Sequence, residues 1–222
     1  TLDLLCGFPG IPRTLSKQAI FDYLFYHVSP GPDTIFKDLY RVPPGQCVEF
    51  GFGAPTEPSS FWSMRFNEDG GRALADLKEE FIALLEGSVR DIHQDGASVG
   101  AFLSGGTDSS TVSGMLARVS GATTRTFSIG FDVQGYDEME YARLAAKHFG
   151  CQHNEYYVTP KDVVEAVPTI AATYDQPFGN ASAIPTFYCA KFAKENGVTH
   201  LLAGDGGDEL FGGYGHYRNV SR

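Results

Sequence analysis

The sequence predicts an α/β protein with a doubly wound parallel sheet and a small amino-terminal appendage. Short apolar runs typical of buried strands alternate with amphipathic segments of helical period, which is the pattern of βαβ units. Glycine-rich turns directly follow two of these apolar runs. The length of 222 residues suits one sizeable α/β domain, or one domain plus an appendage.

The alternation of strands and helices begins after residue 70. The predicted strands are 99–103, 126–131, 153–158 and 198–203, and the predicted helices are 73–93, 109–120, 138–149, 161–174 and 183–195. In the first helix, apolar residues recur on one face and charged residues occupy the other. Parallel sheets bind ligands beyond the carboxyl ends of their strands, where the strand order reverses. We therefore expect the functional site at that edge of the sheet.

Residues 1–70 have a different character and carry no evident chemistry. A helix is predicted over 15–28, ended by Pro30 and Pro32, and a half-buried strand over Cys47–Phe52. Residues 51–60 are rich in glycine and proline and indicate a loop or linker. The high aromatic content of this region predicts packing against a neighbouring domain, or against a second copy of the chain in a homodimer.

Bulk properties exclude several classes of protein. The net charge of −10 argues against a partner with a phosphate backbone and against an anionic membrane surface. No apolar run is long enough to cross a bilayer, and no signal peptide is evident at the start of the chain. The four cysteines are far apart and predict reduced, buried thiols in a cytoplasmic protein, rather than a zinc site or a disulfide framework.

The stretch 99–110 predicts an anion site, because a buried strand, a glycine turn and a helix follow one another. Gly105 and Gly106 allow the backbone to approach a phosphate, and the helix presents free N–H groups to it. Asp108 is predicted as the helix N-cap. A carboxylate beside a phosphate requires a divalent cation between them. Further hydroxyl donors are Ser104, Ser109 and Ser110.

A second glycine-rich stretch, 204–214, follows the last predicted strand. It contains three carboxylates within five residues: Asp205, Asp208 and Glu209. A solvated acidic turn is the simpler interpretation, but such a turn does not need so many glycines beside its charges. We expect Asp108 and Asp208 to converge at the carboxyl edge of the sheet and to hold Mg²⁺ against a triphosphate.

These motifs carry a resemblance to known families. The signature Ser-Gly-Gly-x-Asp-Ser-Ser, matched from Ser104 to Ser110, resembles the pyrophosphate-binding loop of the N-type ATP pyrophosphatases. It is not a Walker A loop, because no Lys follows the glycines. With the further motifs, the chain is similar to the synthetase domain of the glutamine-dependent asparagine synthetases over about residues 75–222. Those further motifs are Thr126–Phe131, Asp175–Phe178, Ser182–Pro185 and Gly204–Tyr214.

The resemblance implies an adenine nucleotide α-hydrolase-like fold, ATP and Mg²⁺ as cofactors, and two parts of the chain. Residues 71–222 would be the ATP-binding synthetase domain, truncated at its carboxyl end. Residues 1–70 would be the remnant that joins this domain to a glutaminase domain absent here.

The resemblance also implies roles for individual residues. Asp108 and Asp208 would be the magnesium ligands, and Asp205 would act in forming an acyl-adenylate. The backbone at Phe102 or Leu103, at Ile129 and at Gly204 would contact the adenine and ribose. The pyrophosphate cradle would be Ser104, Gly105, Gly106, Thr107, Asp108, Ser109 and Ser110.

The implied reaction activates a small carboxylate, aspartate in this family, as acyl-AMP with release of pyrophosphate. Ammonia from the glutaminase domain then forms the amide. Two departures from the family pattern qualify this expectation. The chain begins with Thr1 and not with the catalytic Cys, so we expect no glutamine hydrolysis by this chain. It also lacks the family's late catalytic Lys, so we expect weak ATP binding and low activity from this piece alone.

Two other interpretations stay open. A β-lactam synthetase, or a tailoring amidotransferase of polysaccharide or peptide biosynthesis, would present the same loops. A nucleotide-binding module without turnover would also carry them. The identity of the activated carboxylate would distinguish an asparagine synthetase from a β-lactam synthetase or a tailoring amidotransferase. Release of pyrophosphate from ATP would distinguish an enzyme from a nucleotide-binding module.

Overall fold

A computed structural model of the chain describes residues 1–53, 55–67, 70–93, 97–121, 123–133, 137–215 and 217. The chain divides into two compact units. One contains Thr1–Gly70 and Val167–Ala183, and the other contains Gly71–Ala166 and Ile184–Arg222. Among the described residues, no helix combines the length and the apolar character needed to cross a membrane.

The first unit has little regular structure. Its elements before residue 70 are α1 (Leu2–Cys6), α2 (Lys17–Tyr26), β1 (Gln46–Cys47) and β2 (Ser59–Ser60). The helix predicted over 15–28 is confirmed as α2, and the Ser16 hydroxyl caps it by accepting a hydrogen bond from the Ala19 N–H at 3.2 Å. Ala19 is the one buried residue of this helix, whereas Phe21, Phe25 and Tyr26 are exposed and Tyr23 is half-buried.

The strand predicted over Cys47–Phe52 is wrong beyond its first residue. β1 pairs with β2 through only two residue pairs, and Phe50 and Phe52 are exposed. The alternating pattern therefore does not face a core. Cys47 is also exposed and Cys151 is half-buried, which corrects the expectation that all four thiols are buried. Cys6 and Cys189 are buried as predicted.

The remaining helices and strands follow in alternation. In chain order they are α3 (Leu74–His93), β3 (Val99–Phe102), α4 (Thr107–Ser120), β4 (Arg125–Phe131), α5 (Met139–Phe149), β5 (Gln152–Val158), α6 (Pro160–Thr173), α7 (Ala183–Glu195), β6 (His200–Leu202) and α8 (Gly207–Phe211). The four strands and five helices predicted after residue 70 are confirmed, with ends that shift by one or two residues. The short α8 has no counterpart in the prediction.

The four longer strands form one parallel sheet in the order β5-β4-β3-β6. The chain builds outward from β3 to β5 and then returns to place β6 on the other side of β3. The strand order therefore reverses between β3 and β6, which is the position where doubly wound sheets bind their ligands. The turns after these two strands are the two glycine-rich stretches of the sequence.

Both faces of this sheet are covered by helices, as the doubly wound prediction requires. Ala101 and Leu103 point to one face, where they pack against α3, α4 and α5. Phe102 and Phe127 point to the other face, where α7 contributes Cys189 and Ala193. Side chains alternate between faces along a strand, so neighbouring residues of β3 enter different cores.

Candidate active site

The turn after β3 leads directly into the amino-terminal end of α4. Gly106 is the N-cap, in an extended conformation, and it makes no side-chain capping bond. Asp108 lies in the first turn of α4, so its predicted role as N-cap is wrong. The helix begins two residues earlier than predicted, because Gly106 itself provides the extended backbone that precedes a helix. The carboxylate of Asp108 therefore does not cap the helix.

Hydroxyl groups bind one another inside this turn. Ser104 Oγ and Ser109 Oγ are 2.9 Å apart, and Ser109 Oγ also accepts a hydrogen bond from the Ser104 N–H at 3.1 Å. The Gly106 N–H donates to Ser104 Oγ at 3.3 Å. Ser110 is half-buried one residue further into the helix. Two of the three predicted hydroxyl donors therefore also hold the shape of the loop.

Gly105 is required by its conformation and by a neighbouring helix. Its φ is +85°, a region that side chains disfavour. A methyl group on its α-carbon would lie 2.5 Å from Cβ of Tyr141 and 2.6 Å from the Ala142 N atom. The start of α5 therefore packs against the loop, which leaves no room for a side chain at Gly105.

The second glycine-rich stretch packs directly against Asp108. A methyl group on Gly204 would lie 2.8 Å from Cβ of Asp108, and one on Gly207 would lie 2.6 Å from its Cγ and Oδ2. Similarly, a methyl group on Gly213 would lie 1.8 Å from Oδ1 of Asp208. The glycines beside the acids thus make space for the two carboxylates.

A cavity of about 370 Å³ opens between the two turns. Asp108 and Asp208 both line it, so the structure brings together the two carboxylates that the sequence predicted to converge. The complete lining is Phe102, Ser104, Asp108, Ser109, Thr186, Ala203, Gly204, Asp205, Gly206, Asp208, Glu209 and Tyr214.

The carboxylates in this cavity have no counter-ion among the described residues. In the part of the chain that the structure describes, no Lys or Arg forms an ion pair with Asp108, Asp205 or Asp208. Within the same residues, no group of three or more His, Cys, Asp or Glu side chains is arranged to hold a metal. Carboxylates without a counter-ion attract a cation, and a cation held by fewer than three of these side chains needs further ligands from outside the protein.

A second cavity of about 160 Å³ lies beside the first, at the ends of β3 and β4. It is mostly apolar, and it contains the predicted residues Leu103 and Ile129. Burial raises the pKa of the Cys189 thiol at this cavity to about 12, so the thiol stays protonated and donates to the Phe127 carbonyl at 3.6 Å. Its complete lining is Phe102, Leu103, Ser104, Phe127, Ser128, Ile129, Pro185, Thr186 and Cys189.

A third cavity, of about 410 Å³, lies on the other side of the second turn. Thr107, Asp108, Gly204 and Asp205 line it together with apolar side chains of α3, α4 and α8. The Phe81 and Phe211 rings meet edge to face, with centroids 5.5 Å apart. Asp205 therefore lies between a polar cavity and an apolar one.

Five residues of the 370 Å³ cavity were not predicted as site residues: Thr186, Ala203, Gly206, Glu209 and Tyr214. Glu209 and Tyr214 belong to the second motif, and the Tyr214 hydroxyl donates to Glu209 Oε1 at 3.1 Å. This hydrogen bond and the negative charge of Glu209 raise the pKa of Tyr214. Thr186 comes from α7, and no sequence signal indicated it. The motif Ser182–Pro185, which directly precedes Thr186, was the nearest sequence motif.

The motif Asp175–Phe178 lies in the first unit. Asp175 Oδ2 accepts a hydrogen bond from the Leu2 N–H at 2.8 Å, and Gln176 Oε1 accepts one from the Ile35 N–H at 2.9 Å. All four residues belong to the first unit. Both motif residues therefore tie together distant segments of that unit.

The second unit therefore has a parallel sheet with helices on both faces and a polar cavity where the strand order reverses, between β3 and β6. Sheets of this class bind ligands at that position. The family model described as asparagine synthase matches residues 80–222. The chain belongs to the asparagine synthase family.

Known relatives extend well beyond the length of this chain. A protein of Methanocaldococcus jannaschii, assigned as a glutamine-hydrolysing asparagine synthetase, is 34% identical over 215 residues, which cover 95% of this chain and 41% of the relative. Asparagine synthetase 1 of Bacillus subtilis, also glutamine-hydrolysing, is 31% identical over 204 residues, covering 92% of this chain and 32% of the relative. The chain thus spans less than half the length of either relative.

Among solved structures, an NMN synthetase from Francisella tularensis is similar to this chain with a TM-score of 0.42 and 17% sequence identity. The similar part covers 55% of this chain and 52% of that protein.

Proposed function

We propose that this chain is the synthetase part of an ATP-dependent amide-forming ligase. The enzyme would convert a small carboxylate, aspartate being the first candidate, into an acyl-adenylate with release of pyrophosphate. Ammonia would then displace AMP to give the amide, asparagine. The observation that carries this proposal is the meeting of Asp108 and Asp208, from two separate turns, in one cavity.

The two adjoining cavities match the two ends of ATP. The turn at 104–110 places the free N–H groups of α4 and the Ser104 and Ser109 hydroxyls beside the polar cavity, where they would bind phosphate oxygens. The smaller apolar cavity would take the adenine. Its lining includes Leu103 and Ile129, whose backbone would contact the base. Gly204 would contact the ribose from the other turn.

The residues present fit a magnesium ion. Mg²⁺ in nucleotide sites uses one or two carboxylates and completes its shell with water and phosphate oxygens. Asp108 and Asp208 supply that number, and no Lys or Arg is among the described residues that line their cavity. A bound Mg²⁺ would supply positive charge to the pyrophosphate group as it leaves. A site of protein ligands alone would need more carboxylates than these.

The chain's own residues would contribute orientation and charge. The amino-terminal end of α4 and the hydroxyls of the turn would stabilise the negative charge that gathers on the leaving pyrophosphate. Asp205 borders both the 370 Å³ polar cavity and the 410 Å³ apolar cavity, so we assign it to the end of the site where the acyl group reacts. Tyr214 and Glu209 also line the polar cavity, and their hydrogen bond joins the two side chains.

We propose the same division of the chain that the resemblance implies. Residues 71–222 would form the ATP-binding part, and residues 1–70 would join it to a glutaminase domain that supplies ammonia. Both relatives cited above are named for glutamine hydrolysis.

The test is formation of AMP and pyrophosphate by the complete protein, with ATP, Mg²⁺, ammonia and aspartate or another carboxylic acid. We expect release that depends on one carboxylate, and Asp108→Ala is expected to abolish it. Asp91→Ala, an exposed carboxylate on α3, is the matched control and should retain full activity. Absence of AMP with every acid offered would contradict the ligase proposal and favour a binding module.

A further inference from the structure

Two cavities of the second unit share a wall of three residues. Phe102, Ser104 and Thr186 line both the 370 Å³ polar cavity and the 160 Å³ apolar cavity. A molecule with a flat apolar ring at one end and a polyanion at the other could place one end in each cavity. Its middle part would then lie against these three shared residues. In a nucleotide that middle part is the ribose, which carries hydroxyl groups.

Two of the three wall residues carry a hydroxyl group, but their surroundings differ. Ser104 Oγ already interacts with Ser109 Oγ at 2.9 Å and with the Gly106 N–H at 3.3 Å. Thr186 is exposed, and no hydrogen bond of its hydroxyl is found among the described residues. Thr186 is therefore the wall residue with an available polar group.

A hydroxyl group without a hydrogen bond is unusual for a Thr at a helical position such as that of Thr186. A helical Thr often donates its hydroxyl to the carbonyl four residues earlier. Thr111 in α4 does so at 2.7 Å, and Thr173 in α6 does so at 2.8 Å. Thr186 stands in the first turn of α7 and makes no such bond, so its hydroxyl can both donate to and accept from a ligand.

We infer that the Thr186 hydroxyl binds a ribose hydroxyl of the nucleotide and thereby selects ribonucleotides over deoxyribonucleotides. This inference rests on the proposed function, because it takes the two cavities to hold the two ends of ATP. Thr186 is a specificity-determining residue in this arrangement, placed by α7 and independent of both glycine-rich turns. A site that hydrogen-bonds a substrate hydroxyl discriminates against the analogue that lacks it.

The experiment compares Thr186→Val, which removes the hydroxyl and keeps the branched shape, with Thr186→Ser, which keeps the hydroxyl. Isothermal titration calorimetry of the complete protein measures the Kd of ATP, of 2′-deoxy-ATP and of 3′-deoxy-ATP, each with Mg²⁺. Wild type should prefer ATP over one deoxy analogue. Thr186→Val should weaken ATP binding about three- to tenfold, the worth of one hydrogen bond, and leave that analogue unaffected. Thr186→Ser should keep the preference.

Several outcomes would overturn the inference. One is a wild type that binds ATP and both deoxy analogues equally well. Another is a Thr186→Val variant that keeps the wild-type preference, or that weakens all three nucleotides by the same factor, as a purely structural role would. These results leave the proposed function intact when AMP is still formed. A wild type that binds no ATP would instead remove the proposed function, and this inference with it.

Discussion

The carboxylate of Asp108 lies against the α-carbon of Gly207, so closely that a methyl group there would be 2.6 Å from its Cγ and Oδ2. The two residues are almost a hundred positions apart, at the starts of α4 and α8. Gly207 thus forms part of the surface on which Asp108 rests. Glycine is needed at position 207 because any side chain there would occupy the space of the Asp108 carboxylate.

Gly207→Ala is therefore expected to displace the Asp108 carboxylate. A misplacement of about 1 Å can lower the rate about 10²-fold, so we expect a loss of that size in pyrophosphate release. The free energy of unfolding should change little, because the short α8 contains no buried residue and can shift. Steady-state assays and chemical denaturation of the complete protein measure the two quantities.

Gly87→Ala is the matched control. Gly87 lies inside α3, and a methyl group on it would meet nothing within 4 Å. Alanine should stabilise the helix by about 0.5–1 kcal/mol without affecting activity. Equal activities for the two variants would show that Gly207 does not position Asp108.

Asp108→Asn and Asp208→Asn test the proposed magnesium site. Each removes one negative charge and keeps the side-chain volume, so each should lower turnover about 10²–10³-fold. The Mg²⁺ concentration for half-maximal ATP binding, measured by titration, should rise in both variants. Loss of activity with unchanged Mg²⁺ dependence would contradict the assignment of these carboxylates as metal ligands.

Phe127 is the largest fully buried side chain of the sheet, at 0% exposure, and its ring meets that of Phe192 edge to face at 5.8 Å. Phe127→Ala should lower the free energy of unfolding by about 3–5 kcal/mol, because it leaves a cavity. Urea denaturation followed by circular dichroism measures this loss. Phe66→Ala, at a ring that is 76% exposed, should have little effect. Equal losses would argue against the described core.

The pair of Arg143 and Glu155 predicts a pH dependence of stability. Arg143 donates two hydrogen bonds to the carboxylate, at 2.8 and 2.6 Å, and these bonds lower the pKa of Glu155 below its ordinary 4.5. A carboxyl whose pKa is lowered in the folded state stabilises the protein above its unfolded pKa, and this contribution is lost as the pH falls.

Arg143→Gln should accordingly lower the melting temperature near pH 7, and the difference from wild type should shrink below about pH 4. The effect should be modest, since both side chains are partly exposed. Lys161→Gln is a suitable control, because Lys161 lies 3.6 Å from Glu165 and both side chains are well exposed. A pH-independent difference for Arg143→Gln would contradict the role of the ion pair.

Local patterns were sufficient to predict most elements of the sheet. The strands and the helices after residue 70 follow from apolar periodicity, which depends on residues close in the chain. The strand predicted over Cys47–Phe52 failed because alternation alone does not provide a partner strand or a core. The N-cap prediction at Asp108 failed because the backbone of Gly106 already supplied the cap position.

The sequence by itself determined the strand-turn-helix order, the glycines and acids in two turns, and the expectation that these turns meet. Only the tertiary structure decided that β6 pairs beside β3, that Gly207 supports Asp108, and that Thr186 of α7 joins the same cavity. The physical reason is that periodicity and turn chemistry act between near neighbours in the chain. The contacts of Asp108 depend instead on how a whole sheet orders its strands and covers its faces.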